Sequence, residues 1–167
     1  KLQFCGKPLF YKHHLTHAAS AFYPSPFNRA AILVVDGLNA QVAATFGSGI
    51  GNSIKIHSLT EFPDSIGLLY SAFTYYCGFN PGADEYKLMG LAPYGEPVYV
   101  DLILEKLIKL RSDGAFHVNS SYFNCHSKLK KANKKFNDLF GGPSRKKGDE
   151  IEKRHKDLAR SDQAVTE

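Results

Sequence analysis

The spacing of apolar residues changes several times along this chain, and each change marks an element. From Lys12 to Phe22, Leu15, Ala18, Ala19 and Phe22 recur at helical spacing, and Pro24-Ser25-Pro26 stops the helix. Ala30–Val35 is an unbroken apolar run with β-branched members, the pattern of a buried strand, and it ends in an Asp36-Gly37 turn. Val42–Phe46 and Ser53–Leu59 alternate as two more strands, with glycine-rich Gly47–Gly51 as their connection, so residues 30–60 predict a three-stranded antiparallel meander. Asp64 or Ser65 caps a helix through Leu68, Leu69, Ala72, Phe73 and Tyr76 that Gly78 closes.

After a loop at Asn80-Pro81-Gly82-Ala83-Asp84, the segment Glu85–Gly95 reads as charge running into a glycine-punctuated turn. Leu102, Ile103, Leu107, Ile108 and Leu110 predict a helix over Tyr99–Leu110, terminated by Ser112-Asp113-Gly114. Gly141–Gly148 reads as a flexible connection into a last helix, where Ile151, His155, Leu158, Ala159 and Val165 share a face. With no repeat and no sustained heptad, the sum is an α/β layer: one short antiparallel sheet flanked by helices.

Composition narrows the class. A chain of 167 residues with 43% hydrophobic and 22% charged residues suits a soluble globular domain. No apolar run reaches the roughly 18–20 residues that span a bilayer, and no basic-then-apolar leader opens the chain. Cys5, Cys77 and Cys125 lack CxxC spacing, so unpaired thiols in a reducing cytoplasm are expected. Residues 1–100 balance six Lys/Arg against six Asp/Glu, leaving the net +5 in 101–167, clustered at Lys128–Lys135 and Arg145–Lys147. Asp138, Asp149, Glu150, Glu152 and Asp157 are interleaved there without aromatic alternation. A solvated surface is the first reading, attraction of a small anionic substrate the second, and nucleic acid the last.

Three segments carry candidate chemistry. His13 and His17, four apart, project from one helix face about one turn apart and can share a cation; His14 lies about 100° round the axis. Packing histidines are the competing reading. Asp36-Gly37 puts a carboxylate at the end of a strand, followed by backbone amides, which suits a metal ion or a phosphate as well as a plain turn. In Asp84-Glu85-Tyr86-Lys87-Leu88-Met89-Gly90-Leu91-Ala92-Pro93-Tyr94-Gly95, Lys87 can meet a phosphate or pair with Glu85 or Asp84.

Together these segments resemble the carbamoyltransferase family of nodulation and antibiotic-tailoring O-carbamoyltransferases, which is related to the threonylcarbamoyl-adenosine synthases. The resemblance rests on His13-His14-Leu15-Thr16-His17-Ala18-Ala19-Ser20-Ala21, Val34-Val35-Asp36-Gly37, Phe62 through Thr74 and Glu85 through Gly95. It continues in Gly141-Gly142-Pro143-Ser144-Arg145 and Ala159-Arg160-Ser161-Asp162-Gln163. Asn39-Ala40 stands where the family usually has a Gly-Glu-like pair.

The resemblance implies a partial actin/Hsp70-type ATPase-like domain and transfer of a carbamoyl group from carbamoyl phosphate through carbamoyl-adenylate to a hydroxyl of a small molecule. It implies Fe(II) or another divalent metal as cofactor and ATP as co-substrate. Two imidazoles and a carboxylate also suit Mn, Co, Ni or Zn. The metal ligands it implies are His13, His17 and Asp36. Asp36 and His14 are the catalytic candidates, and Asp36, Gly37, Glu85 and Lys87 the cofactor-binding ones. Residues 1–167 are expected to be an internal, inactive piece of the N-terminal catalytic domain, without its upstream phosphate hairpin and downstream lobe. A tRNA-modification or hydrogenase-maturation relative, or a non-catalytic metal- or nucleotide-binding module, are the alternatives.

Overall fold

The computed structural model describes residues 6–37, 42–112, 114–124 and 132–166. Cys5, Asn39-Ala40, Asp113, Cys125 and residues 128–131 of the basic cluster lie outside them. The chain divides into two compact units, one within Lys1–Val34 and Ala44–Leu59, the other within Val35–Ala43 and Thr60–Glu167.

In the first, helix α1 (His13–Phe22) packs on a sheet of β1 (Arg29–Val35), β2 (Val42–Ile50) and β3 (Ser53–Glu61), in the order β1-β2-β3. The expected antiparallel meander is there: Gly51 N–H donates to Asn28 O at one end of the β1–β2 pair and Asp36 N–H to Ala43 O at the other. Helix α1 buries His14, Ala18 and Phe22, one stripe at i, i+4 and i+8. Ala18 and Phe22 meet Ile32 and Val34, with Ala30 and Ile54 at the edge.

Two expectations need correction here. Strand β1 is buried on one face only: Ile32 and Val34 point inward, whereas Leu33 is 62% and Val35 46% exposed. The glycines Gly47–Gly51 do not separate β2 from β3. Strand β2 runs through Gly47 and Gly49, and only Gly51-Asn52 turns. The reason is packing. A Cβ on Gly49 would enter the Phe22 ring, and one on Gly47 would stand 2.8 Å from the Lys55 carbonyl.

The second unit is mainly helical. It contains α2 (Ile66–Tyr76), α3 (Glu85–Leu91) with a 3-10 turn at Ala92–Tyr94, and α4 (Val100–Lys106). Strands β4 (Ile108–Leu110) and β5 (Phe116–Val118), a 3-10 turn at Ser120–Tyr122, then α5 (Lys134–Leu139) and α6 (Lys153–Thr166) follow. Ser65, not Asp64, caps α2 by accepting from Leu68 N–H. The aromatic rings of Phe73, Phe136 and Phe140 form the core, with centroids 4.9 Å apart for Phe136–Phe140 and 5.2 Å for Phe73–Phe136.

Further corrections follow from contacts distant in sequence. The segment Glu85–Gly95 is helix and 3-10 turn, because Leu88, Leu91 and Ala92 bury one face. The helix expected over Tyr99–Leu110 stops at Lys106. Ile108 and Leu110 instead pair with Val118 and Phe116 in a second antiparallel sheet, so the described residues form two sheets rather than one. The connection after Gly141 is fastened: Arg145 donates from its N–H to Tyr76 O and from Nε to Cys77 O. Arg145 is therefore a packing cation rather than part of a solvated cluster. Helix α6 lies against the 3-10 turn, where a Cβ on Gly95 would collide with the Lys156 carbonyl. Two hydrogen bonds reinforce it, Glu96 N–H to Asp157 Oδ1 at 2.9 Å and Tyr99 N–H to Ser161 Oγ at 3.0 Å. Among the described residues no helix is long and apolar enough to cross a membrane.

Candidate functional site

Helix α1 opens without help from capping: Lys12 makes no side-chain cap bond and the first turn holds no acid. Its buried stripe therefore fixes it, and that stripe turns His13 and His17 outward, both exposed. Their Nε2 atoms are 3.1 Å apart and their rings meet edge-on, with centroids 4.5 Å apart. Imidazole nitrogens that bind one cation at about 2.1 Å subtend about 95° when separated by 3.1 Å, close to adjacent positions of an octahedral shell. The pair can therefore share a proton or hold a cation. Thr16 and Ser20, the hydroxyls nearest in sequence, donate back to the His13 and His17 carbonyls at 2.6 and 2.9 Å.

His14 leaves the pair and goes inward. It is 8% exposed, and its Nδ1 lies 2.8 Å from Oγ1 of Thr45, itself 3% exposed on β2. Sequence reasoning missed Thr45. Its only signal is a hydroxyl in register with the small inward residues Ala43, Gly47 and Gly49 of β2.

Asp36, described with the second unit, directly follows β1. Its carboxylate accepts from Gly37 N–H at 2.7 Å, so that amide serves the aspartate. Gly67 is a second missed residue. In the first turn of α2 its lack of a Cβ lets the helix approach, since a Cβ there would stand 2.9 Å from Asp36 O and 3.0 Å from Gly37 Cα.

Glu85 and Lys87 look different from what a ligand site alone requires. The Glu85 carboxylate accepts from Ser71 Oγ at 3.2 Å and from Gly82 N–H, which ties α3 to α2 and to the preceding turn. Lys87 pairs with Asp84 at 2.7 Å rather than with Glu85. Each raises the other's preference for charge: the hydrogen bond from Lys87 holds Asp84 below the usual carboxylate range, and that from Asp84 holds Lys87 above the usual amine range.

The strongest shifts in titration lie elsewhere in the second unit. Burial pushes Asp162 well above the usual carboxylate range and the Cys77 thiol up to about 12, while it lowers His155. Cys77 is a free, buried thiol, as expected for that residue.

The family model described as "Carbamoyltransferase N-terminus" matches residues 1–167. An uncharacterized protein of Synechocystis sp. is 54% identical over 159 residues, which is 95% of this chain and 26% of that protein. The nodulation protein NolNO of Sinorhizobium fredii is 40% identical over 65% of this chain and 16% of its own length. The nodulation protein NolO of Bradyrhizobium diazoefficiens is 36% identical over 64% of this chain and 19% of its own. The chain thus spans about a quarter of the first of these relatives and less of the others.

Proposed function

Because this chain belongs to the carbamoyltransferase family, whose N-terminal model it matches throughout, we propose that the protein transfers a carbamoyl group from carbamoyl phosphate to a hydroxyl of a small molecule, with ATP as co-substrate. In this reading carbamoyl phosphate is hydrolysed to carbamate and phosphate. The carbamate attacks ATP with loss of pyrophosphate, and the acceptor hydroxyl takes the carbamoyl group and releases AMP. An actin/Hsp70-type fold for the whole catalytic domain and a reducing cytoplasm as its setting belong to the same proposal.

The observation that carries it is the exposed His13–His17 pair with its nitrogens 3.1 Å apart. In this reading His13 and His17 hold a metal ion, with Asp36 as the third ligand that the family resemblance implies. We take that ion to be Fe(II) or another divalent first-row metal. When bound, it supplies charge neutralisation for phosphate oxygens and a template for substrate. The chain's own residues do the rest. The buried stripe of α1 keeps the two imidazoles outward, Asp36 adds negative charge, and Gly37 leaves room for a ligand beside the backbone. Lys87 serves as a point charge for phosphate by exchanging Asp84 for it, with Glu85 fixing the turn that carries it.

The test uses the native protein loaded with Fe(II), assayed for AMP and pyrophosphate release that requires carbamoyl phosphate. His13→Ala with His17→Ala abolishes both that release and metal retention. Full activity in the double variant sinks the metal role, and no carbamoyl-phosphate requirement in the wild type sinks the reaction itself.

A further inference from the structure

We propose that Thr45 is a positioning residue for cation binding: its hydrogen bond to buried His14 sets the roll of α1 and so the presentation of His13 and His17. The inference rests on the metal reading of that pair and gives His14 an anchoring role. In the first turn of α1 His14 is the one buried residue; His13 and Thr16 are exposed and Leu15 is half-buried. The next inward residue, Ala18, offers only a methyl group, and the large anchor, Phe22, sits two turns further along against Gly49.

Lys12 provides no cap bond that could hold the first turn instead. The turn that carries His13 is therefore fastened to the sheet through the 2.8 Å contact of His14 Nδ1 with Thr45 Oγ1. A hydrogen bond is directional where an apolar contact is not, so it sets the ring plane as well as the depth of the side chain. His14 projects about 100° from His13 and about 60° from His17 around the axis, so any slip in its seat turns both imidazoles together. Groups hydrogen-bonded directly to ligands change metal affinity by about 10–100-fold when removed; Thr45 acts one bond further out, through His14, so the lower end of that range applies.

Co(II) binding by the native protein, followed by its visible absorbance, tests this without relying on turnover. Thr45→Val keeps the shape and removes the hydroxyl, and is expected to weaken Co(II) binding by about tenfold. Thr45→Ser restores wild-type affinity. His14→Asn, whose amide replaces Nδ1 but not Nε2, retains most of the affinity, and it carries the test alone if Thr45→Val does not fold. Wild-type affinity in folded Thr45→Val overturns the inference, as does loss of binding in His14→Asn. Should the wild type fail to bind Co(II), or His13→Ala/His17→Ala bind it equally well, the metal reading falls and this inference with it. Normal wild-type binding with an indifferent Thr45→Val removes the inference alone.

Discussion

The two units surround their buried polar groups differently. In the first, buried His14 pairs through Nδ1 with Thr45 across the helix–sheet contact, and His13 and His17 stay outside. In the second, Cys77, His155 and Asp162 sit in a helical and aromatic core at 0–1% exposure. The Asp162 side-chain oxygens find no hydrogen-bond partner among the described residues. Strongly shifted titration often marks a functional site. Here it marks side chains at 0–1% exposure in a helical and aromatic core. The candidate site is marked instead by two imidazoles kept together and turned outward.

The largest effect that sharpens this contrast is mechanical. Phe136→Ala removes a fully buried ring from the aromatic cluster and lowers stability by about 3–5 kcal/mol, read by chemical denaturation. Cation binding by the fraction that stays folded is unchanged; a parallel loss of binding breaks the division of labour. Asp162→Asn comes next, and its effect depends on pH. Because burial raises the folded-state value of Asp162, its contribution is fully present below the unfolded carboxyl value of about 4 and is lost as pH rises through the folded value. The variant is therefore more stable than wild type near neutrality, and the two converge in acid. Melting temperatures from pH 4 to 8 decide it, and an equal gap at every pH refutes the assignment. His155, lowered by burial, acts with the opposite sign: its contribution is present above about 6.5 and is lost as pH falls. The smallest effect is Ser65→Ala, which deletes the cap of α2 and costs about 1 kcal/mol. No change there would mean that packing alone holds α2, as it holds the uncapped α1.

Legibility in the sequence followed the range of the controlling contact. Helix α1, helix α2 with a serine or aspartate cap, and the meander show in the pattern of neighbours within a few residues, and these were readable. The run of β2 through its glycines was not, because the cause is the Phe22 ring, far upstream of Gly49. The strand identity of Ile108–Leu110 depends on pairing with Phe116–Val118, and a helix-like spacing of leucines and isoleucines conceals it. In the candidate site, His13 and His17 declared themselves by spacing. Thr45 and Gly67 did not, since a lone hydroxyl or glycine gains meaning only from what it faces. The buried side of α6 was hidden for a related reason: Asp157 and Ser161 spend their polarity on the backbone of Glu96 and Tyr99, so polar letters fill inward positions.

The glycine that closes the 3-10 turn has an outcome that reaches past packing. Because the backbone of α6 occupies the space a side chain at Gly95 would need, saturation mutagenesis followed by selection for soluble expression should return glycine there almost alone. Tyr94, one position earlier and 74% exposed, should tolerate most of the alphabet. A single step along the chain would thus separate an intolerant column from a permissive one.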